Sequence, residues 1–112
     1  MKRSEIKKLD KAWSEAIRWR DTYCQKCGSE ERLSAAHLFS RTNRSVRWDL
    51  DNGICLCYRC HIHWSHKEPI EFVRWLAQTK GSKFIDMVRR KKNKIAKNQK
   101  YQEILDKLKI VC

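Results

Sequence analysis

Cys57-Tyr58-Arg59-Cys60-His61-Ile62-His63, read together with Cys24-Gln25-Lys26-Cys27, decides how the rest of the chain is read. A Cys-x-x-Cys spacing lets two sulfurs point at one ion, and two such pairs close a tetrahedral shell of four thiolates. Cys24, Cys27, Cys57 and Cys60 are therefore the expected ligands of one zinc ion. A closed shell has no position left for a reactive water, so this zinc is expected to be structural. Gly28, directly after the first pair, can take the positive φ that such a turn often needs. The stretch 28–56 leaves room for a β-hairpin. A knuckle, a hairpin and a second knuckle opening a helix describe a treble clef.

Inside that frame, 33–39 reads as a strand with His37 near its end. Asp49-Leu50-Asp51-Asn52-Gly53 is rich in turn formers, and Ile54-Cys55-Leu56-Cys57 is a short apolar strand that delivers the second knuckle. From Cys60 a short helix is expected, with His61, His63, Trp64 and His66 around one turn. The layout brings His37, Asn52 and His61 towards one surface. A neutral imidazole is a suitable general base near neutral pH. A second, hard metal ion, magnesium or manganese, would polarise a scissile phosphate. Asn52 is expected to hold the base's ring through an oxygen. Taken singly, each residue has a plainer reading. His37 is then a satisfied strand histidine, Asn52-Gly53 an ordinary turn, and the remaining histidines are solvated or replace a zinc cysteine. The arrangement carries the functional reading.

The flanks read as helices. Ile6, Leu9, Trp13 and Ile17 recur at intervals of three and four over 4–20, with Ala16 beside them and Ser4 as the expected N-cap. Trp13 and Trp19 are both assigned to core packing. Pro69 suits the first position of a helix whose apolar face is Ile70, Val73, Leu76 and Ala77, widened by Phe72 and Trp75. Gly81 ends it. Ser82 caps a segment with Phe84, Ile85 and Val88 inward, and a last amphipathic helix uses Tyr101, Ile104, Leu105 and Leu108. That last stripe either packs on the domain or pairs two chains as a homodimer. Cys55 reads as a buried apolar residue and Cys112 as an idle terminal thiol. The expected class is α+β and mostly helical, with a zinc-knuckle domain over 1–80 and a basic helical extension over 81–112.

Lys and Arg number 26 against 13 Asp and Glu, a formal charge of +13. Self-repulsion at that charge is relieved by a polyanion, and nucleic acid is the expected one. Arg41, Arg44 and Arg47 in a polar loop and Arg89, Arg90, Lys91 and Lys92 in a basic block are the candidate phosphate contacts. No apolar run follows the charges of Met1-Lys2-Arg3, so no signal peptide is expected, and no stretch approaches the length of a membrane span. The cysteines are then expected in a reducing cytoplasm, where paired Cys-x-x-Cys motifs mean metal more often than disulfide. Neither pair lies in a βαβ pattern, which disfavours a thioredoxin-like redox site.

The order His37, Asn52, Cys57-x-x-Cys60-His61 resembles the HNH (ββα-metal) endonucleases of the zinc-knuckle kind. It is more closely similar to the lambda-type phage recombination nucleases called NinG or Rap. The matching stretches are Leu9 to Ser14, Ile17 to Asp21, Cys24 to Gly28, Ala36-His37-Leu38 with Ser40-Arg41, Arg47-Trp48-Asp49 with Asn52, and Cys57 to His63. The resemblance implies cleavage of branched DNA, such as Holliday junctions and D-loops, in a bacterial cell hosting a phage or prophage. It puts His37 in the general-base position, Asn52 in the orienting position and His61 in a metal-ligand position. Two departures stand out. Many HNH enzymes carry Asp or His just before the base, where this chain has Ala36. A second histidine one α-helical turn after His61 would fall at Ser65, so His66 or His63 must substitute, or Asp49 or Asp51 supply an oxygen. A non-catalytic zinc-stabilised DNA-binding module is the alternative, and Ala36 is the feature in its favour.

Overall fold

In the computed structural model, which describes residues 1–111, helix α1 spans Arg3–Asp21. Cys112 lies outside the described residues. Leu9, Trp13, Ala16 and Ile17 form the buried face of α1, as their spacing requires. The cap is Lys2, whose backbone N–H donates to Glu5 Oε1 at 2.9 Å, so Ser4 lies inside the first turn. Trp19 is 65 % exposed, contrary to the core assignment. At about 100° per residue it lies about 160° around the helix from Ile17, outside the buried stripe.

Strands β1 (Leu33–His37) and β2 (Gly53–Cys57) form an antiparallel pair in the register Leu33↔Cys57 to His37↔Gly53. The ladder stops two residues short of Phe39. Beyond His37 the chain bonds to Asn52: Leu38 N–H donates to its backbone oxygen and Phe39 N–H to its Oδ1. Gly53 has no room for a side chain. A Cβ there would collide with the Trp13 ring and stand 2.8 Å from Ile17 Cδ1. The end of α1 is tied to the same strand. Arg20 donates to the carbonyls of Leu50 and Gly53, and Asp21 accepts the N–H of Cys55.

After β2 the chain winds into a π-helical turn, Arg59–Ser65, and then into α2 (Pro69–Lys80), α3 (Ser82–Lys92) and α4 (Tyr101–Val111). Pro69 opens α2 as expected, while Gly81 at φ 89° both ends α2 and precedes α3, leaving Ser82 as the first helical residue. Every residue of β2 is buried because it lies between two apolar clusters. One gathers Cys24, Ile54, Leu56, Phe72, Leu76 and Ile85. The other gathers Leu9, Trp13, Ile17, Trp48, Leu105 and Leu108. The region 81–111 thus contributes to both, with α4 packed along α1. Helix α2 turns a different face inward from the one its aliphatic residues suggest. Phe72 and Leu76 are buried, whereas Ile70 and Val73 stand exposed. Phe72, Trp75 and Trp64 pack against one another, and aromatic area outweighs two aliphatic side chains. No helix among the described residues is long and apolar enough to cross a membrane.

Candidate functional site

The four cysteines meet where the first knuckle folds against the end of β2. Gly28, at φ 83°, returns its N–H to Cys24 O at 2.8 Å, and Gln25 N–H bonds to Cys55 O at 3.0 Å. The Sγ atoms of Cys24, Cys27, Cys57 and Cys60 all lie within 4.8 Å of one another, with Cys27 and Cys57 at 3.7 Å. Metal–sulfur bonds of roughly 2.3 Å at tetrahedral angles separate the sulfurs by roughly 3.8 Å, so these four fit a single metal ion. Their acidities conflict in the way crowded thiols do. Burial raises the Cys24 pKa, but backbone N–H groups of Cys27, Cys57 and Lys26 outweigh it and bring the thiol to about 7. Burial and the neighbouring thiols push Cys60 up. At Cys27 a backbone bond from Ser29 favours the thiolate, but Cys24 and Cys57 prevail and raise it. A divalent cation relieves that conflict. Cys55 stands apart in the other cluster, its thiol raised to about 11 by burial and then by Asp21, which makes it an inert packing residue.

On the other side of the hairpin lies an open cleft of about 530 Å³. Helix α1 supplies Asp10 and Trp13 to it, β1 supplies Ala35 and His37, the following loop Arg41, and the π-turn His61 and His66. Strand alternation puts Ala35 and His37 on the cleft and sends Ala36 into the core, 2 % exposed.

His37 Nε2 lies 3.0 Å from Arg47 O. A carbonyl only accepts, so Nε2 carries the hydrogen and Nδ1 keeps the lone pair. Trp13 stacks on the ring at 3.9 Å between centroids and 9° between planes. Burial pulls the His37 pKa below its ordinary value. The Arg47 carbonyl and Asp10 oppose this, and the Arg47 and Arg41 charges add to it. The balance favours the neutral ring.

His61 Nδ1 lies 2.7 Å from Ser34 Oγ, which in turn donates to Leu56 O at 3.1 Å. A hydroxyl has one hydrogen, so His61 Nδ1–H is the donor and Nε2 is left with its lone pair. The π-turn decides which histidine joins it. An α-helix would set Ser65 under His61, whereas a π-turn closes i to i+5. His66 N–H accordingly donates to His61 O, and the two rings meet edge to face at 4.7 Å. Ser65 is buried, with its hydroxyl on His61 O. His63 points elsewhere and packs against Tyr58.

Asn52 is fully buried, and the bonds of its amide go to Phe39 and Val46 rather than to the His37 ring. Its Oδ1 accepts from Phe39 N–H, and its Nδ2 donates to Phe39 O and Val46 O. It holds the loop that follows β1, and the oxygen on the imidazole is that of Arg47. Of the candidate phosphate contacts, several are engaged internally. Arg47 pairs with Asp10 through two bonds, Lys91 with Asp49 and Asp51, and Arg89 with Asp86. Arg44 lies over the Trp48 ring and Lys92 over Phe39. Among the described residues, Arg41 and Arg90 are exposed and pair with no carboxylate. Sequence reading did not single out Asp10 or Ser34 for the site and gave Trp13 to the core. Asp10 and Trp13 do share one face of α1, the one signal available. Comparison of the chain with protein-family models, with curated proteins and with solved structures finds no match.

Proposed function

We propose that this chain is a metal-dependent DNA endonuclease of the HNH kind, built on a zinc-bound treble clef. The observation that carries the reading is the cleft lined by His37, His61 and His66, in a fold that also gathers four cysteines. His37 is the general base: its Nδ1 is bare, and its neutral form is favoured at working pH. His61 and His66 would hold a magnesium or manganese ion, and such an ion supplies positive charge to the scissile phosphate and the leaving oxygen. Asn52 acts one step back, by holding the loop that carries Arg41. Arg41, at the rim, and Arg90 are the free cations best suited to grip the DNA backbone. Cys24, Cys27, Cys57 and Cys60 bind a structural zinc. The proposed substrate is branched DNA, on the sequence resemblance described above.

A second reading, a non-catalytic zinc module that binds DNA, is favoured by one observation. The carboxylate on the cleft, Asp10, already has both oxygens bonded to Arg47 and Trp48, and Ala36 offers no ligand. A nicking assay divides the two readings. A labelled four-way junction and a matched duplex are incubated with magnesium, manganese or chelator. Metal-dependent cutting is expected, with a loss of about a hundred- to ten-thousand-fold in His37→Ala and binding retained. Binding without cutting in any metal would establish the second reading.

A further inference from the structure

We propose that Asp10 is a positioning residue for His37, acting through Arg47 to fix which ring nitrogen stays bare. The proposal rests on the general-base reading of His37. Asp10 Oδ1 accepts from Arg47 Nε at 3.0 Å and from Trp48 Nε1 at 2.8 Å, and its Oδ2 accepts from Arg47 Nη2 at 2.8 Å. This fork geometry fixes the guanidinium in plane as well as in distance. The carbonyl of the same Arg47 receives His37 Nε2–H. Trp13, one helical turn beyond Asp10, covers a face of the imidazole and is itself held by Nε1–H on Asp49 O at 2.9 Å. One face of α1 thus holds the imidazole twice, by stacking and through a carbonyl.

The arrangement explains three things together. Arg47 sits in a basic loop yet is not offered to solvent, its side chain being 15 % exposed. Asp10 lines the cleft yet has no free oxygen with which to ligate a cation. The helix preceding the knuckles is part of the site as well as of the core. A free neutral imidazole divides between two tautomers, and the partner on one nitrogen decides which the other adopts. Without the carboxylate, Arg47 loses its fork. Its carbonyl is then free to turn from Nε2, and the lone pair at Nδ1 is no longer guaranteed.

The test is made on zinc-loaded protein with Asp10→Asn and with Arg47→Lys, which keeps the charge but not the fork. Nitrogen-15 NMR of the imidazole reads the tautomer of His37 directly. Wild type is expected to be the Nε2–H form, and both variants a mixture, with zinc content unchanged. In the nicking assay kcat should fall by about ten- to a hundred-fold, the scale of a misplaced catalytic group, while KM stays near wild type. An unchanged His37 tautomer in the variants overturns the proposal whatever the rate does. If Asp10→Asn fails to fold, Arg47→Lys decides by the same signal. Wild type that never cuts sinks the nuclease reading alone, and the tautomer still decides whether Asp10 positions the ring.

Discussion

Asn52 illustrates how one side chain can hold a segment through its amide. It is the fully buried polar residue at the junction of the loop and β2, and its amide satisfies one N–H and two carbonyls. Removing it leaves the Phe39 N–H and carbonyl without their partner, while Val46 O keeps only the N–H of Asp49. Each buried group left unsatisfied costs about 1–3 kcal/mol. Asn52→Ala is therefore expected to lower stability by about 2 kcal/mol or more, read as a fall in urea midpoint. A variant as stable as wild type would mean that the loop 39–46 is held by something else. Gly53, its neighbour, is set by a different constraint. There the Trp13 ring leaves no space for a Cβ, so the residue that pairs with His37 in the sheet must be glycine.

At the scale of the element, the π-turn Arg59–Ser65 matters most. It begins beside Cys57 and contains Cys60, so the same short segment carries a sulfur to one side and an imidazole to the other. Its wider winding selects His66 rather than Ser65 as the partner of His61, and leaves His63 with Tyr58. If His61 and His66 hold the second metal, His66→Ala should weaken manganese binding to zinc-loaded protein by at least about ten-fold. Even a group behind a metal ligand is worth about 10- to 100-fold. His63→Ala should leave it unchanged. Calorimetric titration of the two variants checks this, and equal losses in both would remove His66 from the site.

The molecule as a whole has two small cores that share one strand. Clusters of this size in 112 residues bury limited area, and Cys24, Cys57 and Cys60 of the four-cysteine group lie within the first of them. Structural zinc contributes about 10–16 kcal/mol in small domains, as much as the whole stability of many folds. If the four cysteines hold zinc, its removal by a strong chelator is expected to unfold the first cluster. Because β2 serves both, α1 and α4 should lose their packing with it. Circular dichroism should then show helicity lost on chelation and regained with zinc but not magnesium. Retention of full helicity without metal would separate the two cores. The excess of positive charge is also organised at this scale. Arg20, Arg47 and Lys91 are bonded to groups of the fold, whereas Arg41 and Arg90 are exposed and pair with no carboxylate among the described residues.

The amino-acid sequence by itself determined the four-cysteine cluster, the buried face of α1, the hairpin and the opening of α2 at Pro69. Along α1, at Pro69 and within each Cys-x-x-Cys pair neighbouring residues suffice, while the two pairs, 30 residues apart, are matched by their common ligand chemistry and the strands by their apolar pattern. The tertiary structure alone decided the rest. Arg47 reads as a phosphate contact until Asp10, far away in sequence, is brought against it. Asn52 reads as a turn residue or a ring-holder until the loop folds over it. Ile70 and Val73 read as core until the aromatic cluster turns α2. His66 enters the cleft only because the turn is π rather than α, a choice of one extra residue per loop of backbone that no side-chain spacing announces. Partners that lie far apart in sequence depend on which surfaces meet, and that is settled by packing the whole chain.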